Sequence, residues 1–239
     1  MLRETIRCRG KTCGPLPVWP QLGRPRVATV RLFEPEPTKF LARPLVSRSI
    51  VSLEQPVKSN EPIEICDWSA EWAEKFRVMA AVIRTALGAR AKRIDHIGST
   101  AINGLAAKPI IDIQVSVVDF DPLDSLIEPL KAIGYVWRSS NPELAKRYFR
   151  ESPGQERTHI HVRRLGSWHE QWPLLFRDYM RIHVEEHEPY VDLKRRLAPR
   201  FQNDRVAYTT GKEDHLWQII RRADRWAAAT GWMSRVSDA

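Results

Sequence analysis

The sequence predicts an α+β fold, one β-sheet with flanking helices, on three observations. An apolar stripe at helical spacing opens the body of the chain, runs of strand length rich in β-branched residues follow it, and the last third returns to helical spacing. Helices and strands segregated in this order build a sheet backed by helices, with a helical C-terminal extension.

In chain order, Trp68, Trp72, Phe76, Met79, Ile83 and Leu87 recur at steps of three or four, one face of a helix that Asp67 or Ser69 can cap and Gly88 can end. Lys92 to Ile97 reads as a strand running into Gly98-Ser99-Thr100. The stretch from Pro109 to Val118 is apolar and β-branched, as a buried strand must be. Pro122 to Ile133 has helical character and stops at Gly134. Tyr135 to Arg138, Arg147 to Glu151 and Thr158 to Leu165 supply three further strands, separated by turn-rich segments at 139–142 and 152–154. Trp172, Leu175, Phe176, Tyr179, Met180 and His183 form a second helical stripe, with Pro173 in its first turn. Tyr190, Leu193, Leu197 and Phe201 form a third, whose end Pro199 should kink or shorten. Thr210 and Glu213 make a capping-box pattern before a last helix with Leu216, Ile219, Ile220, Ala223 and Trp226 inward. Trp172, Trp217 and Trp226, at helical spacing, are expected in the core.

Of the 239 residues, 38 are Lys or Arg and 29 Asp or Glu, a formal net charge of +9. The excess is uneven: residues 1–58 hold 11 basic and 4 acidic side chains, and the rest of the chain is nearly balanced. Eight of the 17 prolines also lie in residues 1–58, which show no sustained period. The sequence thus predicts a basic, proline-rich, mostly unstructured tail over 1–58 and one domain over 59–239. Such a tail can make weak phosphate contacts with nucleic acid; a targeting-like leader or an over-extended gene start is the plainer reading. No apolar stretch reaches the roughly 18 residues of a membrane span, so no membrane partner is expected. The basic start lacks the apolar core and cleavage site of a signal peptide. Cys8, Cys13 and Cys66 are too few and too irregular for a disulfide framework or a complete zinc site, and a reducing, cytoplasmic setting is expected.

Chemistry concentrates between His96 and Val115. Gly98 permits close backbone approach, and Ser99 and Thr100 offer hydroxyl and amide hydrogens to phosphate oxygens. On the following strand Asp112 and Gln114, two residues apart, share a face. A carboxylate opposite a phosphate cradle is placed to hold a divalent cation bridging to a nucleotide.

These residues resemble the nucleotidyltransferase superfamily, whose signature is an apolar residue, Gly, Gly or Ser, a gap of about ten residues, then acid-apolar-acid. More closely, the body from Asp67 to about Trp226 resembles the GrpB family of predicted nucleotidyltransferases. The resemblance is carried by His96-Ile-Gly-Ser-Thr-Ala, Lys108-Pro-Ile-Ile-Asp-Ile, Thr158-His-Ile-His-Val, Phe176-Arg-Asp-Tyr-Met-Arg181, Tyr190 with Leu193-Lys194, and Tyr208 with Lys212. It implies a nucleotidyltransferase-like mixed β-sheet, binding of a nucleoside triphosphate with Mg²⁺, and transfer of a nucleotidyl group to an unknown acceptor. On this reading Gly98, Ser99 and Thr100 cradle phosphates, and Lys108, Arg147 and Lys212 offset their charge. Asp112 and Gln114 hold the metal, and Asp112 and His161 are catalytic, His161 standing where a third acid is expected.

Two departures keep other readings open. Position 114 is an amide rather than an acid, and the later strand carries His159 and His161 where a third carboxylate is expected. A non-catalytic nucleotide- or anion-binding module would look like this, and so would a metal hydrolase using Asp112, His159 and His161. Arg177 is a second candidate anion clamp from the helical half, and Asp178 with Arg181 has the spacing of a surface or structural pair. His183 and His187 have zinc-like i,i+4 spacing but no assured third ligand, so a core or surface role is the plainer reading.

Overall fold

A computed structural model describes residues 62–239. The tail expected over 1–58 lies outside the described residues. The first stripe forms α1 (Glu71–Leu87), which buries Trp72, Phe76, Ala80, Ile83 and Leu87. Ser69 Oγ accepts the Glu71 amide at 3.2 Å, and Glu71 and Glu74 sit at the positive end of the helix dipole.

Five strands follow, β1 (Arg93–Ile97), β2 (Ile111–Val117), β3 (Tyr135–Trp137), β4 (Lys146–Glu151) and β5 (Thr158–Arg164), in the spatial order β1-β2-β5-β4-β3. Only β2 and β5 pair in parallel, which makes the sheet mixed. A parallel pair needs a long crossover; here it contains α2 (Asp124–Ala132) and the hairpin strands β3 and β4. Period-2 alternation sorts the two faces of β2. Ile111, Ile113, Val115 and Val117 enter a core shared with α1, with Leu126 and Leu130 of α2, and with Phe149, Ile160 and Val162. Asp112, Gln114 and Ser116 lie on the other face.

That other face is partly covered by α3 (Trp168–Ile182), which is followed by α4 (His187–Arg200), α5 (Arg205–Thr210) and α6 (Glu213–Thr230). A second core unites α3, α4 and α6 through Leu175, Phe176, Met180, Tyr190, Ile219 and Ala223, and takes in Ile102 and Leu105 from the loop after β1. The loop that carries the Gly98-Ser99 turn is therefore anchored to the helical half. Arg177 is fully buried and ties α3 to the sheet edge: Nη1 donates to the His96 carbonyl at 3.1 Å and to Asp238 Oδ2 at 2.7 Å, and Nε to Asp178 at 2.9 Å. Ser237 and Asp238 accept the Ile94 and His96 amides, giving edge strand β1 partners on its open side.

Three local expectations need correction. Helix α3 begins at Trp168, so Pro173 lies in its second turn rather than its first. The cause is the N-cap at Ser167: Ser167 Oγ accepts the Glu170 amide at 3.2 Å, and Glu170 Oε2 reaches back to the amide of Gly166, one residue before the cap, at 2.6 Å. The box expected at Thr210 and Glu213 does not form. Thr210 ends α5, which Asp204 caps through the Ala207 amide at 2.9 Å, and α6 starts without a side-chain cap. Trp217 is 52% exposed rather than in the core. No described helix is long and apolar enough to cross a membrane.

Candidate functional site

The sheet face left open by α3 becomes the floor of a cleft of about 490 Å³. Its walls are the turn after β1, the loop at Lys108, the α3 residues Trp172, Pro173 and Phe176, and side chains of α4, α5 and the start of α6. Asp112 of β2 lies at the centre of the floor. In the parallel ladder it stands beside His159, and Gln114 stands beside His161. Both imidazoles reach the same carboxylate oxygen: His159 Nδ1 is 3.1 Å and His161 Nε2 3.3 Å from Asp112 Oδ1. Tyr148 of β4 packs against both rings.

Burial pushes the Asp112 carboxyl up, but the two imidazole hydrogen bonds and their charge outweigh it and hold the group well below the usual carboxylate range. Burial lowers His161 to about 4 against the opposing pull of Asp112. The far nitrogens, His159 Nε2 and His161 Nδ1, are buried and have no hydrogen-bond partner among the described residues.

The Gly98-Ser99 turn faces this carboxylate. Gly98 has φ +72°, and a β-carbon there would lie 2.7 Å from Asp112 Oδ2. Only glycine lets the turn come so near the acid without strain. Residues Ser99–Ala101 form one 3₁₀ turn, held from α3 by Arg181 Nε donating to the Ala101 carbonyl at 3.0 Å. Thr100 is buried and its hydroxyl is committed, donating to the Ile110 carbonyl and meeting His96 Nε2, each at 3.1 Å. Burial lowers His96 to about 4, and its ring stacks on Phe76. Thr100 lines the cleft but fastens the turn to the start of β2, while Ser99 is the hydroxyl that meets the charged wall.

That wall is strongly cationic. Lys108, Lys146, Lys194 and Lys212 line the cleft, together with Arg163. Two carboxylates, Asp112 and Glu143, line it as well, and Glu143 is paired with Arg163 and Lys146 at 2.7 Å each. Lys108 and Lys212 flank the Tyr208 ring at 5.1 and 4.5 Å. Lys194 Nζ donates to the Ala106 carbonyl and lies 3.5 Å from Ser99 Oγ, over the Tyr190 ring. Burial, then repulsion from Lys212, Arg195 and Lys108, lowers Lys194 to about 7. Burial, then repulsion from Lys108, lowers Lys212 to about 8, and burial likewise lowers Lys108.

Seven of the expected residues thus meet in one cleft: Gly98, Ser99, Thr100, Lys108, Asp112, His161 and Lys212. Two do not. Arg147 emerges on the opposite face of β4, donating to the Leu144 and Lys146 carbonyls and stacking over Phe120. Its neighbours Lys146 and Tyr148 point into the cleft instead, because strand side chains alternate. Gln114 shares the face of Asp112 but is fully buried beneath α3, and its Nε2 donates to the Glu170 carbonyl at 3.0 Å. Arg177, the other clamp candidate, is consumed by the core. Lys194 and Arg163 were missed, and Trp172 packs against the second core as expected while also lining the cleft. His183 stacks on Tyr179 and His187 bonds the Met180 carbonyl, both in the structural roles expected of them.

Residues 62–222 match the family model described as GrpB protein. A UPF0157 protein of Pseudomonas aeruginosa is 37% identical over 168 residues, 69% of each chain. The dephospho-CoA kinase of Mycolicibacterium paratuberculosis is 33% identical over 200 residues, 73% of this chain and 49% of that protein. This chain therefore spans about half the length of that relative. The crystal structure of the conserved protein GrpB from Enterococcus faecalis superposes with a TM-score of 0.63 at 28% identity, covering 68% of this chain and 99% of that one.

Proposed function

We propose that this chain, which belongs to the GrpB family, binds a nucleoside triphosphate by its polyphosphate in the cleft above Asp112. One observation carries the reading: four lysines surround a hydroxyl-bearing turn, and the carboxylates among them are few and already engaged. Cations held in a walled cleft attract a polyanion more strongly than the same charges on open surface. Ser99 would meet a phosphate oxygen beside Lys194, and Lys108 and Lys212 would take the far end of the chain of phosphates. The rings of Trp172, Phe176, Tyr190 and Tyr208 give the helical wall apolar surface suited to a nucleoside.

Transfer of the nucleotidyl group to an acceptor is the reaction that the nucleotidyltransferase resemblance adds. It would proceed by in-line attack on the α-phosphorus with pyrophosphate leaving, and the lysines would stabilise the leaving charge. The alternative of a binding module without turnover has its own support. Asp112 is tied to two imidazoles and Gln114 is turned into α3, so the acid pair expected for catalysis is not assembled. Magnesium requires near-octahedral oxygen ligands. One carboxylate and two imidazole nitrogens do not fit a magnesium ion held by the protein.

Calorimetric titration with nucleoside triphosphates and with inorganic tripolyphosphate tests the proposal. Both should bind, and Lys212→Ala and Lys194→Ala should each weaken binding about tenfold. Equal binding by wild type and both variants would remove it. Pyrophosphate release over a panel of acceptors then separates transfer from binding alone.

A further inference from the structure

The geometry points to a separate ligand at the floor of the cleft: a divalent transition-metal ion of the zinc type, held by Asp112 Oδ1, His159 Nδ1 and His161 Nε2. Each of the three residues offers one ligand atom, and all three atoms lie within 4.8 Å of one another. Zinc at 2.0–2.1 Å from tetrahedral N and O ligands sets neighbouring ligand atoms about 3.4 Å apart. The two edges from Oδ1, at 3.1 and 3.3 Å, are already near that separation. The third edge, between His159 Nδ1 and His161 Nε2, is no longer than 4.8 Å.

The donor set selects the ion. Two imidazoles and one carboxylate suit zinc, cobalt or manganese and disfavour magnesium and calcium. A cation here replaces the imidazole–Asp112 hydrogen bonds, and nothing among the described residues bonds the far nitrogen of either ring, so that nitrogen is free to carry the proton. Three protein ligands leave a fourth position for water or a ligand atom, and these three residues all line the cleft. The strands that carry them are the central parallel pair of the sheet, a rigid support for the ligand set. The inference does not depend on nucleotide binding.

The test uses the full chain, stripped with chelator, and Co²⁺ alone in the absence of nucleotide. One Co²⁺ per chain should bind with the visible absorption of a four-coordinate site, displaced by Zn²⁺ but not by a large excess of Mg²⁺. His161→Ala should weaken Co²⁺ binding by more than about 100-fold, beyond the roughly 10–100-fold lost when only an outer partner is removed. Asp112→Asn, which preserves shape, keeps the test decisive should the histidine variant fail to fold. His183→Ala, which breaks the other histidine pair, should leave binding unchanged. Co²⁺ binding indifferent to Asp112→Asn and His161→Ala, or displaced by Mg²⁺ at similar concentration, would overturn the proposal and leave the polyphosphate reading untouched.

Discussion

Gly98 and Asp112 face each other so closely that a β-carbon on residue 98 would stand 2.7 Å from Asp112 Oδ2. Gly98→Ala therefore meets both a positive φ and an occupied space, and should destabilise the protein by about 1–3 kcal/mol. It should also displace the acid or the turn and weaken tripolyphosphate binding at least about tenfold. Thermal unfolding and calorimetry check the two parts. Unchanged affinity would show that the turn plays no part in the site.

Lys146 and Arg147 are adjacent but lie on opposite faces of β4. Lys146→Ala should weaken polyphosphate binding about five- to tenfold, a typical loss for one charged contact that is partly solvated. Arg147→Ala should leave it unchanged. The reverse result would place the bound anion on the wrong side of the sheet.

Lys194 and Lys212, lowered to about 7 and about 8, give binding a pH dependence. Both are charged below those values and lose charge above them, so affinity for a polyanion should fall as the pH rises from about 6 through 8. Folding has the opposite sign. A lysine in the unfolded chain keeps its ordinary value of 10.5, so above about pH 7 the unfolded chain holds a proton that the folded one has shed. The stability of the ligand-free protein should therefore rise with pH across that window. Titrations and urea unfolding over the same buffers test both slopes, and a flat affinity profile contradicts the assignment.

Arg177 serves structure rather than ligand. Arg177→Met leaves buried Asp178 without the guanidinium that bonds it at 2.9 Å and should cost about 3–5 kcal/mol in urea unfolding. Arg177→Lys should recover part of it. A well-folded Arg177→Met protein that had lost only anion affinity would return this residue to the cleft.

Gln114 can be probed by restoring the acid of the superfamily pattern. Gln114→Glu places a carboxylate, fully buried, against the Glu170 carbonyl. It should destabilise by several kcal/mol, as an uncompensated buried charge does, with no gain in metal binding. Gln114→Met removes that hydrogen bond and should lose about 1 kcal/mol, with anion affinity intact.

Periodicity made the amphipathic helices legible and β-branched composition the strands, while the start of α3 and the short α5 depend on caps that spacing does not show. The cleft was legible where chain order decides it: Gly98, Ser99 and Asp112 flank one loop between paired strands. It was illegible where the partner strand decides it. β4 reads Lys-Arg-Tyr-Phe-Arg-Glu, so a cation falls on either face whichever way the strand is turned. Only its pairing, Tyr148 with His161 and Lys146 with Arg163, turns Lys146 inward. Gln114 was assigned to the correct face but not to its depth, since the start of α3 depends on the Ser167–Glu170 cap. Lys194 did leave a signal. It lies between Tyr190 and Leu197 on the buried side of α4, and a cation on an apolar stripe needs partners.

The side-by-side alignment of β2 and β5 has a kinetic corollary. His159 and His161 lie 47 and 49 positions beyond Asp112, so the imidazoles reach the carboxylate only after a long chain segment has been looped and its entropy lost. Local hairpins and helices can appear earlier, yet none of them contains this triad. Its assembly during refolding thus reports completion of the central ladder, and a ligand that requires it will recognise the finished protein and pass over every partly folded one.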